Sequence, residues 1–231
     1  MLVHCLNKLK KILMKIVNFI TKNHLKTKRN YIGRMKNNKV EAMKIARKYD
    51  FDYWDGNRRY GYGGYNYIDG YWTSTAKKII KFYNLNNNSS ILDIGCGKGF
   101  LLFEIKKLLP GISVKGIDIS RYSIKNAKNE IKSSLMVSDV RRYKIKKKFD
   151  LIISINCLHN LQIFELTNVI KKIVKNSRKS YIAIEGYKNI EELFNLQCWA
   201  LTANTFFSKK EWQWFFKKNN YKGEFEIIYF N

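Results

Sequence analysis

Downstream of Ser90 the chain alternates short apolar runs with stretches of helical spacing, and this alternation constrains the fold more than any other feature. The runs cover 91–94, 114–118, 135–138, 151–155 and 181–185, each the length of a buried strand and rich in branched side chains. Between them, Phe100 to Leu109 is stopped by Pro110-Gly111. Ser120 to Ile131 opens on a serine of the type that caps helices, and Leu166, Val169, Ile170, Ile173 and Val174 keep helical spacing. Strand–helix–strand repetition of this length predicts an α/β fold with a mostly parallel sheet and helices on both faces. A last strand-like run spans 224–230.

The first run leads into Asp93-Ile94-Gly95-Cys96-Gly97-Lys98-Gly99-Phe100. Glycines directly after a strand let the backbone turn tightly and bring a ligand against the next helix. The third glycine comes one residue too early for a dinucleotide fingerprint, and no Lys-Ser or Lys-Thr pair follows to make a P-loop. Further acids fall at later strand ends: Asp118 before Ile119, and Asp139 before Val140. Asn156 and His159 follow the fourth run. Ligands of open α/β sheets bind outside these strand ends.

In these residues the chain resembles the class I S-adenosylmethionine-dependent methyltransferases. The resemblance implies a three-layer Rossmann-like sandwich of six or seven strands. The seventh strand is either missing here or recruited from another segment. It also implies that Asp93, Gly95, Cys96, Gly97 and Gly99 form the first cofactor motif. Asp118 with Ile119 would meet the ribose hydroxyls, Asp139 with Val140 the adenine, and Asn156 the crevice beyond the fourth strand. Cys96 reads as a small packing residue of that loop rather than a nucleophile. The stretch 53–72, YWDGNRRYGYGGYNYIDGYW, resembles the segment before the first motif in a bacterial group of small-molecule methyltransferases whose pattern is WDGDRRYGYGG. Asn57 stands here in place of its second aspartate. Arg58 and Arg59 offer fixed donors for a carboxylate or phosphate, and Tyr60 and Tyr62 offer flat walls with polar tips. With Glu185 and Trp199 they form the expected substrate side. His159 is the candidate general base, its ordinary pKa of about 6.5 suiting proton removal at neutral pH.

Charge and the N-terminal segment complete the picture. The chain carries 44 basic and 18 acidic residues, a net charge of +26. Residues 1–48 hold 14 basic residues and one acid, so half of the excess lies outside the strand–helix part. Lysine outnumbers arginine 35 to 9, whereas nucleic-acid readers favour arginine for bidentate contacts. RNA methylation is therefore the alternative to a small-molecule acceptor, not the favoured reading. Leu2, Leu6, Leu9, Leu13, Ile16 and Ile20 trace one face of a basic amphipathic helix over residues 1–22. Such a helix can make peripheral membrane contact, and a non-catalytic cofactor-binding module held there is a third reading. The four cysteines form no CxxC pair, and with three histidines no metal site is expected. Reduced thiols suit a cytoplasmic protein.

These observations divide the chain into a basic helical extension at 1–48 and a methyltransferase domain at 49–231. The domain comprises a Gly/Tyr-rich cover (53–72), a cofactor-binding core (89–185) and a substrate-side segment (186–231). On this division, removing residues 1–22 leaves cofactor affinity intact.

Overall fold

The computed structural model describes residues 14–21 and 28–231. Among them six strands form one sheet: β1 (Ser90–Ile94), β2 (Ser113–Asp118), β3 (Leu135–Val137), β4 (Phe149–Ile155), β5 (Ser177–Glu185) and β6 (Glu224–Ile228). Their spatial order is β3-β2-β1-β4-β5-β6, with every pair parallel. The helices are α1 (Tyr31–Lys36), α2 (Lys39–Ala46), α3 (Phe51–Trp54), α4 (Thr73–Tyr83), α5 (Phe100–Leu108), α6 (Arg121–Lys125), α7 (Asn129–Lys132), α8 (Ile163–Asn176), α9 (Ile190–Trp199) and α10 (Lys209–Lys218).

Strand periodicity sorts the core into two layers. Ile91, Leu151, Ile153, Tyr181 and Ala183 face Ile79 of α4 and Leu102 and Ile105 of α5. Their neighbours Leu92, Ile152, Ile182 and Ile184 face Leu166, Val169 and Ile173 of α8 and Trp212 and Phe216 of α10. Each side chain so enclosed contributes about 1.5–3 kcal/mol relative to exposure. Because the chain runs outward through β2 and β3 and then returns to β4 beside β1, the connections diverge above the carboxyl ends of β1 and β4. They leave a crevice there.

Local chemistry explains the helix ends. Ser120 caps α6, its hydroxyl accepting from the Ser123 amide at 2.9 Å. The single helix expected over 120–131 is split into α6 and α7, and the Asn126 amide group donates back to the Tyr122 carbonyl at the break. Gln162 and Glu165 form a reciprocal capping box at the start of α8.

The basic helix expected over residues 1–22 needs correction where it is described; residues 1–13 and 22 lie outside the described residues. Met14 to Ile20 are not helical. Ile16 instead pairs in parallel with Phe225 at the open edge of β6, through Val17 N–H to Phe225 O (3.0 Å) and Phe225 N–H to Lys15 O (3.1 Å). Beyond this bridge the backbone amides of Phe19, Ile20 and Thr21 donate to the Glu226 carboxylate at 2.8, 3.0 and 2.6 Å. The Thr21 and Tyr181 hydroxyls donate to it at 2.5 and 2.6 Å. Glu226 is 1% exposed. An edge strand offers unpaired backbone groups, and a buried carboxylate needs donors. Together they outcompete the internal bonds of an amphipathic helix. The segment is thus a short recruited edge of the sheet, and Val17, Phe19 and Ile20 belong to the core.

This attachment gives residues 14–21 a part in the stability of the sheet edge. Glu226→Ala, which strands five buried donors, is expected to lower the unfolding free energy by about 3 kcal/mol or more. Removing residues 1–22 should cost at least as much. Urea denaturation of each variant measures both, and a loss below about 1 kcal/mol in either would contradict the attachment.

Candidate functional site

The crevice above β1 and β4 is a cavity of about 380 Å³. Its floor is set by the loop after β1. Gly95 and Gly97 have φ of 78° and 56°, in the left-handed region. A Cβ at Gly95 would collide with the Cys157 side chain, and one at Gly97 would lie 2.9 Å from the Trp54 ring. Asp118, at the end of β2, holds the loop in place. One of its oxygens accepts from Gly97 N–H and the other from Ser120 N–H, both at 2.8 Å. Burial raises the Asp118 pKa, an effect partly offset by the amides of Ser120, Gly97 and Ile119.

Asp118, Ile119, Asp139, Val140, Asn156 and Gly95 all line this cavity, so the structure brings together the acids and strand-end residues singled out from sequence. Asp139 is engaged by Arg141 through its backbone N–H, its Nε and its Nη2, the last at 2.6 Å. Arg141 also reaches Glu165 at 2.9 Å. Asn156 turns the chain at the end of β4 with φ 54°, and its side-chain Oδ1 is buried without a hydrogen-bond partner. Asp93 lies one step deeper: it is 4% exposed and outside the lining set, and its pKa is pushed up to about 8 by burial and then by the charge of Asp118. Cys96, Gly97 and Gly99 shape the loop from behind. Cys96 packs on Gly116, Trp54 covers Gly97, and Gly99 precedes α5.

The aromatic segment is a cover, and Asp55 is its fastening. The Asp55 carboxylate meets Lys98 Nζ at 2.7 Å, the Tyr122 hydroxyl at 2.8 Å and the Tyr65 amide at 2.9 Å. Lys98 is a buried cation of the glycine loop, its side chain 4% exposed. Trp54 donates from Nε1 to Ser120 Oγ at 2.9 Å and stacks on Tyr62, with ring centroids 5.3 Å apart. Tyr49, Tyr53 and Tyr62 thereby wall the cavity.

Several expected substrate-side residues stand elsewhere. Arg58 stacks over Trp199 and donates to Gly61 O, while Arg59 donates to Asn37 O. Tyr60 packs with Ala42, Ala46 and Leu201. None of these, nor Trp199, lines the cavity. Arg34 and Lys39 donate to the carbonyls of Trp199, Gln197 and Cys198 at the carboxyl end of α9. The partial negative charge of a helix terminus draws cations there.

His159 is also corrected. Its Nδ1 accepts from the Glu185 amide at 3.3 Å, and its Nε2 lies 3.4 Å from the Glu185 carboxylate. The residue is 3% exposed, and burial lowers its pKa, with Glu185 acting in the opposite sense. With both nitrogens engaged away from the cavity, His159 and Glu185 tie β5 to the turn after β4.

Residues absent from the sequence-based site now appear in the wall: Arg47, Arg141, Asn160 and Glu165. The turn after α9 adds Thr202 and Asn204. Arg47 follows a short helix more than 40 positions before the first motif, and nothing in its local sequence marks it.

Residues 85–220 match the family model described as "Methyltransferase domain". The chain belongs to the methyltransferase domain family. The cofactor of this family is S-adenosylmethionine, and the wall suits it: a carboxylate ends β2, an unpartnered carbonyl oxygen ends β4, and side-chain-free backbone lies between them. Among relatives, a ubiquinone biosynthesis O-methyltransferase of Pelagibacter ubique is 36% identical over 114 residues, 45% of this chain and 44% of that protein. A ribosomal RNA small subunit methyltransferase C of Buchnera aphidicola is 35% identical over 111 residues, 45% of this chain and 32% of that one. The chain thus spans about half or less of the length of these curated relatives. Among solved structures, the plantazolicin methyltransferase in complex with a desmethyl analogue and S-adenosylhomocysteine superposes with a TM-score of 0.54 at 20% identity, covering 80% of this chain and 77% of that one.

The raised Asp93 pKa gives a pH test of this methyltransferase site. Below about pH 4 the carboxyl is protonated both folded and unfolded. Between there and about pH 8 the unfolded chain ionises while Asp93 keeps its proton, so stability falls as pH rises. Asp93→Asn removes this term. Relative to the variant, the unliganded wild type should lose stability from pH 5 to 8 with a slope of up to about 1.4 kcal/mol per pH unit. Denaturation of both proteins across that range measures the difference, and a flat difference would show that Asp93 is ionised in the fold.

Proposed function

We propose that the chain moves the methyl group of S-adenosylmethionine to an oxygen or nitrogen of a small polar metabolite or biosynthetic intermediate. The observation that carries this reading is the continuity of one cavity. Its lining holds the cofactor-type residues Asp118, Asp139 and Asn156 together with tyrosine, asparagine and threonine side chains. The bound cofactor supplies a methyl carbon made electrophilic by its sulfonium, and the protein contributes alignment and exclusion of water. Asp118 would accept the ribose hydroxyls, Asp139 and Val140 would frame the base, and Gly95 and Asn156 would flank the amino-acid end. Tyr53 and Tyr62 of the 53–72 cover, with Tyr49 just before it, would close the acceptor side. The WDG start of that cover supports kinship with the small-molecule group noted from sequence, since Trp54 and Asp55 are its two anchors.

Catalysis is assigned to residues 49–231 together with Arg47 and the recruited edge at 15–21. No general base is assigned, because proton removal is needed only if the acceptor arrives protonated. RNA methylation is the second reading, favoured by the net charge of +26 and by the ribosomal RNA methyltransferase relatives. A basic groove beside the cavity would be its mark, and binding would then weaken steeply with salt. Among the described residues no helix is long and apolar enough to cross a membrane.

S-adenosylhomocysteine should bind the wild type, and Asp118→Ala should weaken that binding by more than tenfold. That is the consequence of losing charged hydrogen bonds worth about 1.5–3 kcal/mol. Calorimetry checks this, and equal affinity for both proteins would refute the ribose assignment.

A further inference from the structure

The charged groups of the cavity wall are not equally satisfied. Asp139 and Glu165 share Arg141, and Asp118 is held by two backbone amides. Arg47 differs. Only its Nη2 is engaged, at 3.0 Å from Asn204 Oδ1 and 3.4 Å from Ala203 O, and both partners are neutral. Among the described residues no carboxylate stands within ion-pair distance of it. Two neutral acceptors hold the exposed guanidinium at the cavity wall without cancelling its charge.

The tether leads to a second unsatisfied group. Asn204 donates from Nδ2 to Asn160 O at 2.6 Å, and its backbone N–H donates to His159 O at 3.0 Å. Arg47 is thereby fixed to the turn that follows β4. In that turn the side-chain Oδ1 of Asn160 is buried without a hydrogen-bond donor, and Asn160 lines the same cavity. A buried carbonyl oxygen without a donor is destabilising unless a ligand supplies one. One wall therefore offers an uncompensated cation and an acceptor awaiting N–H or O–H, joined through a single asparagine.

We infer that the methyl acceptor is a small anion, a carboxylate or phosphate that also carries a hydroxyl or amine, and that Arg47 is the residue selecting for its charge. Arg47 pairs with the anionic group, and Asn160 Oδ1 accepts from the hydroxyl or amine. This takes over the role that sequence reasoning gave to Arg58 and Arg59, neither of which lines the cavity. The inference rests on the methyl-transfer reading of the cavity.

The test uses the full chain with methyl-labelled S-adenosylmethionine in three arms: a cell metabolite extract freed of macromolecules, the RNA fraction, and the protein fraction. Label should enter small molecules that an anion exchanger retains at pH 8. Arg47→Gln should cut that labelling at least tenfold, and Arg47→Lys, which keeps the charge, should lose less. Binding of S-adenosylhomocysteine, measured separately, should stay within about threefold in both variants. Label in neutral or cationic metabolites, in RNA or in protein would overturn the inference. So would unchanged labelling by Arg47→Gln, or wild-type protein that binds S-adenosylhomocysteine yet labels nothing. A parallel loss of S-adenosylhomocysteine affinity in Arg47→Gln would also overturn it, because Arg47 would then hold the cofactor instead. Failure of the wild type to bind S-adenosylhomocysteine at all would strike the methyl-transfer reading itself.

Discussion

One carboxylate organises the site. Asp118 ends β2, yet it reaches sideways to the Gly97 amide of the loop that follows β1, and with its other oxygen it starts the turn into α6. Two adjacent strands are thus locked at their carboxyl ends, where a doubly wound sheet opens. The left-handed glycines of that loop keep side chains out of the opening. Backbone amides, with no counter-ion among the described residues, offset only part of the cost of burying Asp118, and its pKa stays raised.

A second ion pair ties the aromatic cover to the same loop. Lys98 sits among the motif's glycines, where a side chain would be expected in solvent, but it is buried against Asp55. Breaking such a pair from one side leaves a stranded charge, typically costing several kcal/mol. Burial alone would raise the Asp55 pKa, but donation from Lys98, Tyr65 and Tyr122 holds it below the ordinary carboxylate range. The fastening is therefore intact at neutral pH and is lost only as acid protonates Asp55. Cover and loop form one unit, and the WDG and GCGKG motifs belong to a single device despite the 43 positions between Asp55 and Lys98.

The fold was largely legible because its signals are local. Strand-length apolar runs, the Ser120 cap and the Pro110-Gly111 stop all report on neighbouring backbone, and they placed β1, β2, β4 and β5. Asp118, Asp139 and Asn156 were legible for the same reason, since strand ends converge on one edge of a parallel sheet. What failed depended on distant partners. Residues 14–20 keep a helical apolar spacing, yet Glu226 and the edge of β6 hold them out of a helix. His159 stands at a strand end but turns its nitrogens to Glu185. Arg58 and Arg59 have the right chemistry for a substrate anion, while Arg47, with no motif around it, has the right position.

The most direct measurement is a crystal structure of the full chain grown with saturating S-adenosylhomocysteine. The account predicts the nucleoside in the crevice between Gly95 and Asn156, its sugar on Asp118 and its base beside Asp139 and Val140. A nucleoside bound elsewhere, or a crevice left empty at saturating ligand, would contradict it.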